Sequence, residues 1–135
     1  MAEVKARFTI QGKSLELEKL TQSVGIQPTS SWKTGDPIPR TFGKRKTDGW
    51  SISTSYVETF DAAEVLDQLL QKLMPTKEKL LKFCAKNKVE TELSLAILAL
   101  EGDVPSINLD PNCLASLNSL HCSLDVDVIT GSREN

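Results

Sequence analysis

Four segments of the chain alternate apolar and polar side chains, and this two-residue period constrains the fold more than any other feature. The segments are residues 4–10, 50–56, 91–99 and 122–128. Alternation of this kind predicts β-strands with one buried face and one polar face. Such strands favour a largely antiparallel sheet with helices packed on one side of it.

Apolar residues at helical spacing predict helices between these strands. A short helix is expected over residues 14–24, with Ser14 at its N-cap and Gly25 as the left-handed residue that ends it. A long central helix is expected over residues 61–88, broken or kinked at Pro75.

The resulting order is strand–helix–strand, a long central helix, and strand–helix–strand, with the last helix starting at Pro111. The predicted fold class is α+β: a mostly antiparallel sheet with helices packed on one face. The two ends could be a strand–helix–strand duplication around the central helix, or two unrelated copies of a common motif. We expect a single domain over residues 1–135, with a long connecting loop at 29–49 and a polar tail at 130–135.

Composition excludes several classes of protein. The chain has 135 residues, 39% hydrophobic and 25% charged, which is typical of one folded domain. Its net charge of −2 gives no global attraction to nucleic acid. Three cysteines without paired spacing indicate reduced thiols. The N-terminus is not a signal peptide and no apolar run could span a membrane, so we expect a cytoplasmic protein without a membrane segment.

The sequence contains no recognisable catalytic or metal-binding motif, so we expect neither an enzyme nor a cofactor. The single histidine, His121, has no partner spaced to orient it. Asp125 and Asp127 lie two residues apart on the predicted outer sheet face, where they could bind a cation or act as paired carboxylates. The alternative is a solvated face, neutralised by Lys5 or Arg7 of a neighbouring strand.

The predicted loop concentrates basic and aromatic residues. Five of the 16 basic residues fall within residues 33–46, against one acid. Arginine beside aromatic side chains is typical of interface hot spots, and it also suits an anion or single-stranded nucleic acid. The alternative is a solvated loop whose tryptophans plug the edge of the core. The candidate binding residues are Trp32, Lys33, Asp36, Arg40, Lys44, Arg45 and Lys46.

Four short stretches resemble one known family. They read VGIQPT at 24–29, WKTGD at 32–36, GWSIS at 49–53 and LHCSLDVD at 120–127. Together they are similar to the bacterial family called domain of unknown function 4279, over nearly the whole chain. The resemblance implies a small bacterial stand-alone domain, without an established activity, cofactor or catalytic residue. Proteins of this size and type are sometimes immunity proteins that block a toxin, which is an analogy rather than a deduction from these residues.

Three functions follow, in decreasing order of support. The first is a non-enzymatic, immunity-like protein that docks an acidic protein partner through residues 32–46 and the adjacent outer sheet face. The second is a binder of nucleic acid or a phosphate-bearing ligand through Lys44, Arg45 and Lys46, although the overall acidity makes nucleic acid an unfavoured partner. The third is an enzyme that uses Asp125 and Asp127. The sequence leaves a monomer and a homodimer equally open.

Overall fold

Six strands form one mixed sheet in the computed structural model, which describes residues 2–131. The strands are β1 (Glu3–Gly12), β2 (Ser30–Trp32), β3 (Asp48–Ser53), β4 (Val57–Glu58), β5 (Glu90–Leu100) and β6 (Ser123–Gly131). The helices are α1 (Leu17–Val24), α2 (Ala62–Leu73), α3 (Lys77–Lys86) and α4 (Pro111–Ser119), and a 3-10 turn over Met74–Thr76 joins α2 to α3. The predicted α+β class is confirmed.

The strand order across the sheet is β2-β3-β1-β5-β6, and β4 pairs with the start of β1. Every pairing is antiparallel except that of β5 with β6, which is parallel. A parallel pair needs a crossover, and α4 provides it. The two strand–helix–strand units therefore differ, because β1 pairs with β3 in the antiparallel sense. They do not repeat one topology.

The core lies between one face of the sheet and the helices. The central strands β1 and β5 send every second side chain into it, and α2 supplies its widest apolar surface. Burying one leucine of this kind stabilises the fold by roughly 1.5–3 kcal/mol. The largest fully buried side chains are Trp50, Phe8, Ile10, Leu20, Leu66, Leu69, Leu73, Leu80, Leu93, Leu95, Ile97 and Val4.

Local signals account for most helix ends, with one exception. Gly25 ends α1 in the left-handed region at φ 82°, as predicted. Pro75 lies in the 3-10 turn, so the central helix is interrupted where the sequence indicated. The N-cap prediction for α1 is wrong: Glu16 takes that position, and Ser14 lies earlier, in a turn at φ 56°. The chain needs that extra turn because Leu15 is buried before the helix begins.

The predicted connecting loop at 29–49 contains regular structure. Its start is β2, and the rest folds back on itself as a hairpin before β3 begins at Asp48. At the other end of the chain, Thr130 and Gly131 extend β6 instead of starting a tail. Residues 132–135 of the predicted tail lie outside the described residues. Within residues 2–131, no helix combines the length and apolarity needed to cross a membrane.

Candidate functional site

The basic hairpin, which we define as residues 33–47, projects from the end of the sheet between β2 and β3. Its two arms are joined by backbone hydrogen bonds from Gly35 N to Arg45 O (2.8 Å) and from Arg45 N to Asp36 O (2.8 Å). Nearer the tip, Ile38 N donates to Gly43 O at 3.0 Å. These bonds hold the basic residues on an ordered scaffold.

Asp48 anchors the base of the basic hairpin. Its carboxylate accepts hydrogen bonds from Leu15 N (2.9 Å), Thr34 N (2.7 Å) and Thr34 Oγ1 (3.0 Å). Lys33 Nζ lies 3.9 Å from it and also donates to Leu15 O at 3.2 Å. The hydrogen bonds from Thr34, set against burial, hold the pKa of Asp48 below its ordinary value of 3.8. One buried carboxylate therefore ties the hairpin to the turn before α1.

The hairpin packs on the outer face of the sheet through the Trp32 ring, which lies between Arg45 and Gly49. The guanidinium carbon of Arg45 lies 4.1 Å from the centre of the Trp32 ring, a cation–π contact. Trp32 pairs with Gly49 across β2 and β3, and a Cβ at Gly49 would overlap the indole. Glycine at this position therefore makes room for the ring.

The tip of the hairpin presents Phe42, whose exposure reaches 110% of the reference value for phenylalanine. The turn beneath it is ordered, because Thr41 Oγ1 donates to Ile38 O at 3.0 Å and accepts from Gly43 N at 3.1 Å. Arg40, beside it, has φ 64°, a left-handed conformation that is uncommon for residues other than glycine. An exposed phenylalanine on a strained, hydrogen-bonded turn is the most conspicuous surface feature of the hairpin.

The structure divides the predicted binding residues into two groups. Trp32, Arg45 and Lys33 build the hairpin and its attachment, as described above. Asp36 is also structural, since it accepts a hydrogen bond from Lys33 N at 2.8 Å. The exposed cationic side chains that remain are Arg40, Lys44 and Lys46.

Trp50, the second tryptophan of the region, lies on the opposite face of the sheet. It is fully buried in the core, and its indole N–H donates to Thr21 Oγ1 at 3.0 Å. An open cavity of about 320 Å³ lies beside it, between α1 and β2. Trp50 therefore fills the edge of the core and is not part of an exposed binding surface.

A second basic feature, the lysine cavity, lies where the end of β1, the hairpin and the start of β5 meet. Its volume is about 660 Å³ and its lining includes Lys13, Lys46 and Lys88. Glu90 is the one acidic residue among the described residues that line it. A Cβ at Gly12 would lie 2.9 Å from Lys88 O, so glycine allows the segment before β5 to approach β1. Three separate segments therefore bring lysines to one concave surface.

Asp125 and Asp127 lie on the outer face of β6, as predicted, and within the described part of the chain neither has a basic residue directly opposite it. Asp127 pairs with Ala96 of β5, which in turn pairs with Lys5 of β1. Asp125 is separated from Arg7 by Ser94 in the same way. Two strand spacings are about 10 Å, and among residues 2–131 no ion pair joins either aspartate to Lys5 or Arg7. The expected neutralisation by Lys5 or Arg7 is therefore not a contact, and within residues 2–131 no group of metal ligands includes these carboxylates.

His121 lines a further cavity, which adjoins the lysine cavity at Val89. It adopts φ 54° where α4 meets β6, and its carbonyl accepts a hydrogen bond from Thr91 Oγ1 at 3.1 Å. The cavity has a volume of about 400 Å³ and is also lined by Cys84. Burial raises the pKa of the Cys84 thiol, which opposes formation of the nucleophilic thiolate. This pair is poorly suited to covalent catalysis.

Comparison with known proteins places the chain in a family. No curated protein matches it, and no solved structure does. A family model described as Domain of unknown function (DUF4279) matches residues 2–131, and this range includes the basic hairpin, the lysine cavity and β6. The similarity seen at residues 24–36, 49–53 and 120–127 therefore extends over the whole described structure, and the chain belongs to the DUF4279 family.

Proposed function

We propose that this protein is a non-enzymatic, immunity-like binding protein that docks an acidic protein partner with the tip of its basic hairpin. The observation that carries the proposal is the full exposure of Phe42 on an ordered turn. Water in contact with an aromatic ring is unfavourable, so a ring held outward in this way gains free energy when a partner covers it. Aromatic residues beside arginine are frequent interface hot spots.

Rigidity of the hairpin supports a docking role. The Arg45–Trp32 contact and the Asp48 hydrogen bonds hold both arms before any partner arrives. A surface that is already ordered loses less conformational entropy on binding than a mobile loop. The left-handed Arg40 adds to this argument, because strained backbone is concentrated at binding sites.

Charge selects the class of partner. Arg40, Lys44 and Lys46 are exposed around Phe42 and the hairpin arms, in a protein whose net charge is −2. A local positive field on an acidic protein attracts an acidic patch and speeds its association. The adjacent outer sheet face would form the rest of the interface. The proposal includes a cytoplasmic location, supported by three free cysteines.

The test is site-specific photo-crosslinking. A benzophenone amino acid replaces Phe42 in the full chain, in the cells that make the protein, and a matched variant carries it at Phe60. Phe60 is a good control because it is 67% exposed and lies outside the hairpin. We expect one acidic protein to crosslink at position 42 and not at position 60.

The purified partner then decides the outcome. We expect Phe42→Ser to weaken its binding at least tenfold, or about 1.4 kcal/mol, with affinity falling as salt is raised. Phe60→Ser should bind like the wild type. Equal crosslinking at both positions, or unchanged affinity in Phe42→Ser, would remove the hairpin tip from the proposal.

A second candidate function, binding of a small phosphate-bearing ligand, is favoured by the lysine cavity. Its volume of about 660 Å³ is within the usual range for ligand pockets, and three lysines line it. Lys46 is shared with the basic hairpin, whereas Lys13 and Lys88 come from segments far away in the sequence. Several ammonium groups around one concavity suit a ligand with several negative charges.

Thermal melting with inorganic tripolyphosphate tests this candidate at low salt. A specific ligand present at about 100 times its dissociation constant stabilises the folded state by about 2.7 kcal/mol, which raises the Tm by several degrees. Lys88→Glu should abolish the rise, and Lys82→Glu, exposed on α3 outside the cavity, should keep it. An equal response in both variants would mean non-specific charge screening. A shift with single-stranded DNA but not with tripolyphosphate would point to nucleic acid instead.

A further inference from the structure

β6 leaves one of its edges open. It is the last strand of the sheet and pairs only with β5 among the described residues. All nine of its residues are exposed. The strand at the opposite edge, β2, has three residues. A long exposed edge is a template for pairing with another chain, because its outward N–H and C=O groups lack partners within the sheet.

Apolar rows of the core continue onto β6, where their cover is only partial. Leu124, Val126 and Val128 stand in register beside Leu93, Leu95 and Ile97 of β5. The three β5 residues are 0% exposed, whereas those of β6 are 37%, 39% and 45% exposed. Parallel strands are normally covered on both faces. Cover of the inner face is therefore complete at these β5 positions and partial at β6, the edge strand.

We propose that β6 pairs with β6 of a second copy of this chain, antiparallel and about a two-fold axis, to form a homodimer with one continuous sheet. Two observations favour a second copy over another occupant. The edge is apolar on its inner face, so two copies would cover each other's Val126 and Val128. Its outer face carries Asp125 and Asp127, and β6 can pair with its own copy in a register that sets each carboxylate opposite an uncharged residue.

The two aspartates also select the register. A two-fold axis at Val126 places Asp125 opposite Asp127 of the partner subunit. An axis at Asp127 places Asp127 opposite Asp127 of the partner subunit. Both registers are unfavourable, because like charges lie directly opposite each other. An axis at Val128 gives the longest pairing within β6 in which no carboxylate faces another. The resulting pairs are Val128 with Val128 of the partner subunit, Asp127 with Ile129 of the partner subunit, Val126 with Thr130 of the partner subunit, and Asp125 with Gly131 of the partner subunit.

Sedimentation equilibrium tests the dimer. We expect the wild type to dimerise with a dissociation constant below about 100 µM. Val126→Lys should raise that constant at least tenfold, because a charge on an edge strand blocks pairing. Val104→Lys is the matched control: Val104 is 60% exposed but lies outside the sheet, so its dimer should match the wild type. Circular dichroism checks that both variants fold.

A cysteine variant tests the register. Val128→Cys should form an intermolecular disulfide under mild oxidation, since the two copies of this position face each other on the axis. The wild type, with its three native cysteines, controls for other disulfides. A wild-type monomer at about 100 µM overturns the proposal. So does a dimer that Val126→Lys leaves intact, or a β6 edge that binds a different protein. None of these results bears on Phe42, so the two proposals fail separately.

Discussion

Gly49→Ala is expected to lower the free energy of unfolding by roughly 2–4 kcal/mol, although it adds a single methyl group to a strand. The added Cβ would overlap the Trp32 indole, so the ring must leave the outer sheet face. Its contact with Arg45 would be lost, and the hairpin would be attached to the sheet by the hydrogen bonds of Asp48 without the ring. Urea unfolding followed by circular dichroism measures the change.

A double-mutant cycle separates this mechanism from a general intolerance of alanine. Trp32→Ala removes the ring that the new methyl group would meet. In that background Gly49→Ala should be neutral, or stabilising by about 0.5–1 kcal/mol, since Gly49 lies in a strand and alanine restricts the unfolded chain more than glycine does. If Gly49→Ala is equally harmful with and without Trp32, the indole is not the cause.

Asp48→Ala is expected to cost roughly 3 kcal/mol of stability. The change leaves Leu15 N and Thr34 N without an acceptor, and it removes the charge beside Lys33. Asp36→Ala provides the control within the same hairpin. Asp36 is exposed and accepts one backbone hydrogen bond, so its loss should cost less than about 1 kcal/mol. Equal losses in the two variants would contradict the anchoring role of Asp48.

The dependence of stability on pH below about pH 4 also tests the anchoring role of Asp48. The pKa of Asp48 lies below 3.8 in the folded protein, mainly because the carboxylate accepts hydrogen bonds from Thr34. Its contribution is therefore complete above about pH 4 and is lost as the pH falls through the folded-state pKa. Asp48→Ala should flatten the fall in stability below about pH 4 relative to the wild type. An unchanged slope would mean that other carboxylates determine it.

Long strands with one buried face could be predicted from the sequence, whereas a short strand and the direction of strand pairing could not. β1 and β5 alternate over many residues, so their buried faces were identified correctly. β2 has three residues, too few to show a period, and it exists because β3 offers it backbone partners. The parallel pairing of β6 was also hidden, since a parallel strand and an antiparallel strand share the same two-residue period.

The location of the candidate site in the sequence could be predicted from its composition, but the contacts that build the site could not. Clustering of basic and aromatic residues identified the hairpin, because those residues are neighbours in sequence. Asp48 was missed because its hydrogen-bond donors, Thr34 and Leu15, lie 14 and 33 residues away in the sequence and only folding brings them near it. Lys13 and Lys88 were missed for the same reason: each is an ordinary surface lysine until β1 and β5 pair and bring them to one cavity.

The central position of β1 has a consequence for how the chain folds. This strand pairs with β3 on one side, and on the other side its partner is β5, with Val4 opposite Ile97. At a synthesis rate of about 5–20 residues per second, β1 waits seconds for that partner to leave the ribosome. During that time it exposes the apolar face that β5 and α2 later help to enclose. Pairing between strands so far apart in the sequence predicts slow folding, and it leaves the half-finished sheet prone to aggregate.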